Sequence, residues 1–222
     1  MFQIHSNIPD SMEELISPQY TAVAVVDAQN DFCKEGGALH KFGADLSFFH
    51  ETIKNIKMLI EEARTVKVPI VYVQNTALPN HASDSPEMIR WYIKTWTHNF
   101  KRIPTFTLEG TWGEQIVDEL RPVEGDVIIK KNRASGFIHT NLDLILRNKR
   151  IRTLVVTGFV THLCILATVM DGRCRDYFMV VAKDCVNSNR KDMHEIAIKL
   201  MESRFDVWAS DQIIEVWKKL RR

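Results

Sequence analysis

The chain has 222 residues, 45% hydrophobic and 26% charged, which excludes the disordered and collagen-like classes. Lys and Arg number 29 against 28 Asp and Glu, a formal net charge of +1, so no whole-chain attraction to nucleic acid or an anionic membrane is expected. A chain of this length buries roughly 70% of its unfolded surface and needs no disulfide or metal staple.

The first twenty residues hold no apolar stretch behind a basic start, and no apolar run approaches the ~20 residues of a membrane span. The expectation is a cytoplasmic protein without a leader. The run 21–26 (TAVAVV) is apolar without alternation, the mark of a strand covered on both faces. A helix is predicted over 46–63, where Ile53, Ile56, Leu59 and Ile60 share one face. Further strands are predicted at 69–73, 127–129, 154–156, 178–181 and 207–208, with helices at 141–148, 163–173, 193–203 and 211–220. Alternating βα units imply one α/β domain over 1–222: three α/β/α layers around a mostly parallel, about six-stranded sheet. Residues 76–115 interrupt this rhythm with three prolines, two glycines and Trp91, Trp96 and Trp112. Such an insertion covers a substrate, forms an interface, or packs as a surface excursion.

The four cysteines, Cys33, Cys164, Cys174 and Cys185, form no C-x-x-C pair and are read as reduced thiols. The histidines show no metal-ligand spacing. In an open α/β sheet, ligands bind beyond the carboxyl ends of the strands. There the first predicted strand ends in Asp27, the third in Lys130-Lys131, and the fourth runs through 157–163 to Cys164 at a helix start. Each has a bland reading alone, as a loop cap, a surface charge and an inert thiol. Together they are a base, a cation and a nucleophile. With Thr161 as N-cap, the helix start and a nearby Lys would favour a thiolate, and the helix N–H groups suit an oxyanion. This set is suited to acyl transfer through a thioester.

The motifs AVVDAQNDF (24–32), KNRASGF (131–137) and TGFVTHLCILAT (157–168), in that order, resemble those of the isochorismatase-like cysteine hydrolases, over about 21–208. The resemblance implies a catalytic Asp27, Lys131 and Cys164, with Lys131 chosen over Lys130 by its register to Ser135 and Phe137. It implies a non-proline cis peptide at Phe159–Val160 and an oxyanion hole from the backbone N–H groups of Val160 and Cys164. No cofactor or metal is implied: where the family's nicotinamidases carry Asp-x-His, this chain reads Gln74-Asn75-Thr76.

Within the family, the ureidoacrylate amidohydrolases share Gln74-Asn75, Gly110-Thr111-Trp112, Val117-Asp118-Glu119-Leu120 and the 131–137 segment. Biuret hydrolase shares Asp31-Phe32-Cys33 and Gly36-Gly37. Thr76-Ala77 and Ala134 depart from the ureidoacrylate pattern, which carries Gly-Trp and Tyr there. The expected function is cysteine-dependent cleavage of a C–N bond in a small ureido, carbamoyl or amide substrate, ureidoacrylate-like first. Biuret, N-carbamoylsarcosine and then nicotinamide-type hydrolysis are the alternatives, and a non-catalytic scaffold is the alternative of another class. Phe32, Asn75, Trp112 and Phe137 are the expected substrate contacts, with Arg90 and Arg133 as candidates to meet a carboxylate. His162, two positions before Cys164 at a helix start, is expected to point away from it. The expected partners are a small-molecule substrate and further copies of the chain, as a homodimer or homotetramer, with neither nucleic acid nor membrane.

Overall fold

The computed structural model describes residues 8–221; the start of the stretch expected to carry no leader lies outside them. Six strands, β1 (Thr21–Val26), β2 (Ile70–Asn75), β3 (Val127–Lys131), β4 (Thr153–Phe159), β5 (Phe178–Asn187) and β6 (Asp206–Trp208), form one parallel sheet in the order β3-β2-β1-β4-β5-β6. The fold class is the expected one, with every strand parallel. Every residue of β1 and β4 is buried, as strands in the middle of a doubly covered sheet must be.

Before the sheet lies a one-turn helix, α1 (Met12–Leu15). Two more, α2 (Asn30–Cys33) and α3 (Ala38–Lys41), follow β1, and then comes α4 (Phe49–Thr65). Later come α5 (Pro86–Tyr92), α6 (Leu142–Asn148), α7 (Leu166–Arg173), α8 (Lys191–Glu202) and α9 (Ser210–Leu220). The pleat of β1 divides the core. Val23 and Val25 face α4 and α9 in a cluster with Ile56, Leu59, Ile60, Ile213 and Trp217. Ala22, Ala24 and Val26 face α6, α7 and α8, with Leu142, Leu146, Val169 and Met201. No helix among the described residues is long and apolar enough to cross a membrane.

The strand order reverses direction between β1 and β4, the place where such sheets open a crevice at their carboxyl edge. Gly158 lets these strands come together there. Its φ is +110°, and a Cβ on it would stand 1.9 Å from the Val26 carbonyl oxygen.

Candidate active site

Asp27 is the first residue beyond β1, in the left-handed region at φ 51°, with its N–H donating to the Val73 carbonyl at 2.8 Å. This conformation turns the chain out of the sheet at the crevice, a placement typical of functional sites. Lys131 closes β3, whose residues alternate between the two faces. Lys130 is exposed and pairs with Glu109 and Glu114 at 3.0 Å, whereas Lys131 is buried. Its ammonium meets Asp27 Oδ2 at 2.8 Å, the Arg133 carbonyl at 3.1 Å and Cys164 Sγ at 3.5 Å. One partner for each of the three N–H donors is what a buried ammonium requires.

Cys164 lies in a π-helical turn, Thr161–Ile165, that runs into α7. Its carbonyl accepts from Thr168 Oγ1 at 2.7 Å, and that hydroxyl accepts from the Gly136 N–H at 2.9 Å, tying the Cys164 turn to the loop after Lys131. The Phe159–Val160 peptide is cis, as the resemblance implies. Val160 takes the N-cap position expected of Thr161, whose hydroxyl is instead 2.9 Å from His194 Nδ1. A side chain engaged with another helix is not available to cap its own.

The electrostatics differ from the expected lowered thiol. Burial, reinforced by the Asp27 carboxylate, pushes the Cys164 thiol up to about 12, against the opposing pull of Lys131. Burial also raises Asp27 above the usual carboxylate range, although Lys131 draws it back down. Burial would lower Lys131, but Asp27 and Cys164 outweigh it and hold the ammonium charged. The thiol is therefore protonated beside the Lys131 ammonium.

Asp27 and Cys164 open onto a cavity of about 530 Å³, and Lys131, which touches both, is buried outside its lining. Asn75, Phe159 and Val160 also line it, as do the apolar and aromatic side chains of Phe32, Leu39, Met88, Trp91, Tyr92, Trp96 and Phe106 and the polar or charged ones of Glu87, Thr95, Arg133, His162, Asn189 and Arg190.

Residues 21–212 match the Isochorismatase domain. The chain belongs to the isochorismatase family. The ureidoacrylate amidohydrolase RutB of Yersinia enterocolitica is 35% identical over 196 residues, 86% of this chain and 85% of that protein. A solved cysteine hydrolase from Pseudomonas syringae aligns with a TM-score of 0.79 at 25% identity, over 92% of this chain and 95% of that one. The N-carbamoylsarcosine amidase from Thermoplasma acidophilum aligns at 0.68 with 28% identity, over 86% and 97%.

On this isochorismatase-family frame, two of the four expected substrate contacts reach the cavity. Phe32 does so from α2, and Asn75 from the end of β2. Gln29 grips the Asn75 backbone twice, donating from Nε2 to its carbonyl and accepting its N–H, both at 2.8 Å, while Asn75 Nδ2 donates to Thr107 Oγ1 at 2.7 Å. Trp112 stands outside the lining with a half-exposed ring; its contribution is a carbonyl that accepts from Asn30 Nδ2 at 2.8 Å. Phe137 also lies outside. After Gly136 the chain dives under the sheet, and the ring is buried against Tyr177 and beneath Arg175. Arg133 lines the cavity and Arg90 does not. His162 lines it with Nδ1 2.8 Å from Ser188 Oγ, and so is held by a partner other than Cys164. Among the described residues, no group of three His, Cys, Asp or Glu side chains is placed to hold a metal ion.

Leu39, Met88, Tyr92 and Phe106 are cavity residues that the motifs do not reveal. A signal exists for part of them: Met88, Trp91, Tyr92 and Trp96 follow an i, i+3, i+4, i+8 pattern inside the insertion.

Proposed function

We propose that the chain is a cysteine-dependent amidohydrolase that cleaves a C–N bond of a ureido, carbamoyl or amide substrate, with a ureidoacrylate-like head group favoured. The observation that carries this reading is the buried Asp27–Lys131–Cys164 cluster, from which Asp27 and Cys164 line the cavity. The likeness to RutB and to N-carbamoylsarcosine amidase supports the same bond type.

Each residue's role follows from its surroundings. Asp27, raised by burial, accepts the thiol proton as sulfur attacks the carbonyl carbon, so a free thiolate never accumulates. The oxyanion is received by the backbone N–H groups of Val160 and Cys164. Collapse of the tetrahedral species breaks the C–N bond, and Asp27 returns the proton to the departing nitrogen. Water, deprotonated by Asp27, then attacks the thioester and frees the thiol together with the acid or carbamate. Lys131 stays charged and keeps the carboxylate ionised for each proton transfer. Asn75, pinned by Gln29 and Thr107, lines the cavity beside Asp27 and Cys164, suited to a ureido group. Arg133, also on the wall, is placed to meet a substrate carboxylate.

The test is ammonia release from ureidoacrylate, biuret, N-carbamoylsarcosine and nicotinamide, with Cys164→Ala as control. The reading expects turnover of a ureido or carbamoyl compound that vanishes in the variant. Turnover of nicotinamide alone would overturn the preference for a ureido or carbamoyl head group, and equal rates in the variant would overturn the cysteine-dependent reading.

A further inference from the structure

The cavity is built for more than a ureido head group. We propose that the substrate carries, beside its scissile carbonyl, an aromatic or similarly flat apolar group, packed against the ring cluster that the insertion helix forms with Phe106. This rests on the amidohydrolase reading above and assigns the rest of the molecule that reading leaves open.

The first observation is an amphipathic helix whose apolar stripe covers only the small Ala38, Leu39 and Phe106 cluster. Ser85 caps α5 through its hydroxyl, which accepts the Met88 N–H at 3.2 Å, and Pro86 takes the first position. The helix continues into a π-helical segment, Ile93–Thr97, so Met88, Trp91, Tyr92 and Trp96 fall along one side. Such a stripe normally packs against the core. Here no residue of α5 is buried, and all four of these side chains line the cavity.

The second observation is the ring cluster that this stripe joins. Phe106 is buried and is the hub of a ring cluster, with centroids 5.6 Å from Tyr92, 5.6 Å from Trp96 and 6.1 Å from Phe32. Tyr92 and Trp96 are only half-buried, so their remaining surface faces the cavity. Rings at these tilts offer faces and edges to one more ring.

The third is size and polarity. A volume of about 530 Å³ lies within the range of sites that enclose drug-sized ligands, about 300–1,000 Å³. A ureido head meets only the part lined by Asp27, Asn75 and Cys164. Of the other charged or titratable lining groups, Glu87 is exposed, Arg190 is paired with Asp192 at 2.7 Å, Arg133 donates to the Ser83 and Asn132 carbonyls, and His162 is held by Ser188. The lining that the insertion helix shares with Phe32, Leu39 and Phe106 is apolar apart from Glu87 and Thr95.

The experiment uses a series with a constant ureido head and carboxylate: the N-carbamoyl derivatives of glycine, leucine, phenylalanine and tryptophan. Ammonia release is expected to show kcat/KM rising on the order of 10- to 100-fold from the glycine to the aromatic members. Trp96→Ala and Phe106→Ala should compress that ratio severalfold. Calorimetric binding of the same compounds to the Cys164→Ala protein reads the chamber without chemistry. Tighter binding of the aromatic members supports the proposal even where the unmodified enzyme hydrolyses none of them, a result that would overturn the hydrolytic reading alone. Binding that is level or weaker for the aromatic members would overturn the proposal whatever the turnover.

Discussion

Lys131 Nζ stands 2.8 Å from Asp27 Oδ2, with the two side chains 0% and 1% exposed. Breaking a buried pair by removing one partner leaves an uncompensated charge, at a cost of about 3–5 kcal/mol. Lys131→Met should therefore lose stability on that order in urea unfolding and lose kcat at least ~100-fold, because the proton acceptor becomes neutral. Asp27→Asn should lose activity as severely, since an amide cannot take the thiol proton.

The pH profile follows from the same pair. Asp27 titrates above an ordinary carboxyl because burial raises it, and it acts as the ionised form. Activity is therefore lost as pH falls through that raised value, so the acid limb of kcat/KM should lie above the ~3.9 of a free aspartate. In Lys131→Met the opposing charge is gone and the limb should move further up. An acid limb at the free-aspartate position in both proteins would contradict this.

The thiol offers a separate reading. With Cys164 pushed up to about 12, its alkylation by iodoacetamide should rise about tenfold per pH unit through pH ~10 without a plateau. A plateau near neutrality would mean a preformed thiolate. Mass mapping separates this signal from that of Cys174, which is exposed.

Trp112 and Phe137 give a contrast that tests their placement. Phe137→Ala should cost about 3–5 kcal/mol of stability, as removal of a buried ring does, with KM changed little in the folded fraction. Trp112→Ala should leave stability within about 1 kcal/mol and KM nearly unchanged, because its ring is half exposed and outside the cavity.

Gly158→Ala probes the join between β1 and β4. A methyl group 1.9 Å from the Val26 oxygen at φ +110° has no room, and the clash lies against backbone. The variant should be destabilised by several kcal/mol, read as a lowered Tm or as loss of soluble protein.

The elements that position Asp27, Lys131 and Cys164 are legible because buried parallel strands write themselves as apolar runs, with Asp27 and Lys131 where two of those runs end and Cys164 in the turn that follows β4. The choice of Lys131 over Lys130 followed from register, and the pleat of β3 gives it a physical basis. The cavity wall was less legible. Motif matching drew attention to Trp112 and Phe137, yet which way a ring points depends on long-range contacts such as Asn30 with the Trp112 carbonyl and Tyr177 with Phe137. The helix stripe in 76–115 carried the missing information as periodicity. The thiol's protonation was illegible for a related reason. A helix start argues for a lowered value, and only the three-dimensional structure shows how completely burial outweighs it.

The central claim, a covalent bond to Cys164 during turnover, is tested most directly by intact-protein mass measurement on enzyme quenched in acid within milliseconds of mixing with a hydrolysed substrate. The account predicts a transient adduct of the acyl or carbamoyl mass, mapped to the peptide containing Cys164 and absent from Cys164→Ala. Full turnover by Cys164→Ala, or an adduct mapped to another residue, would contradict it.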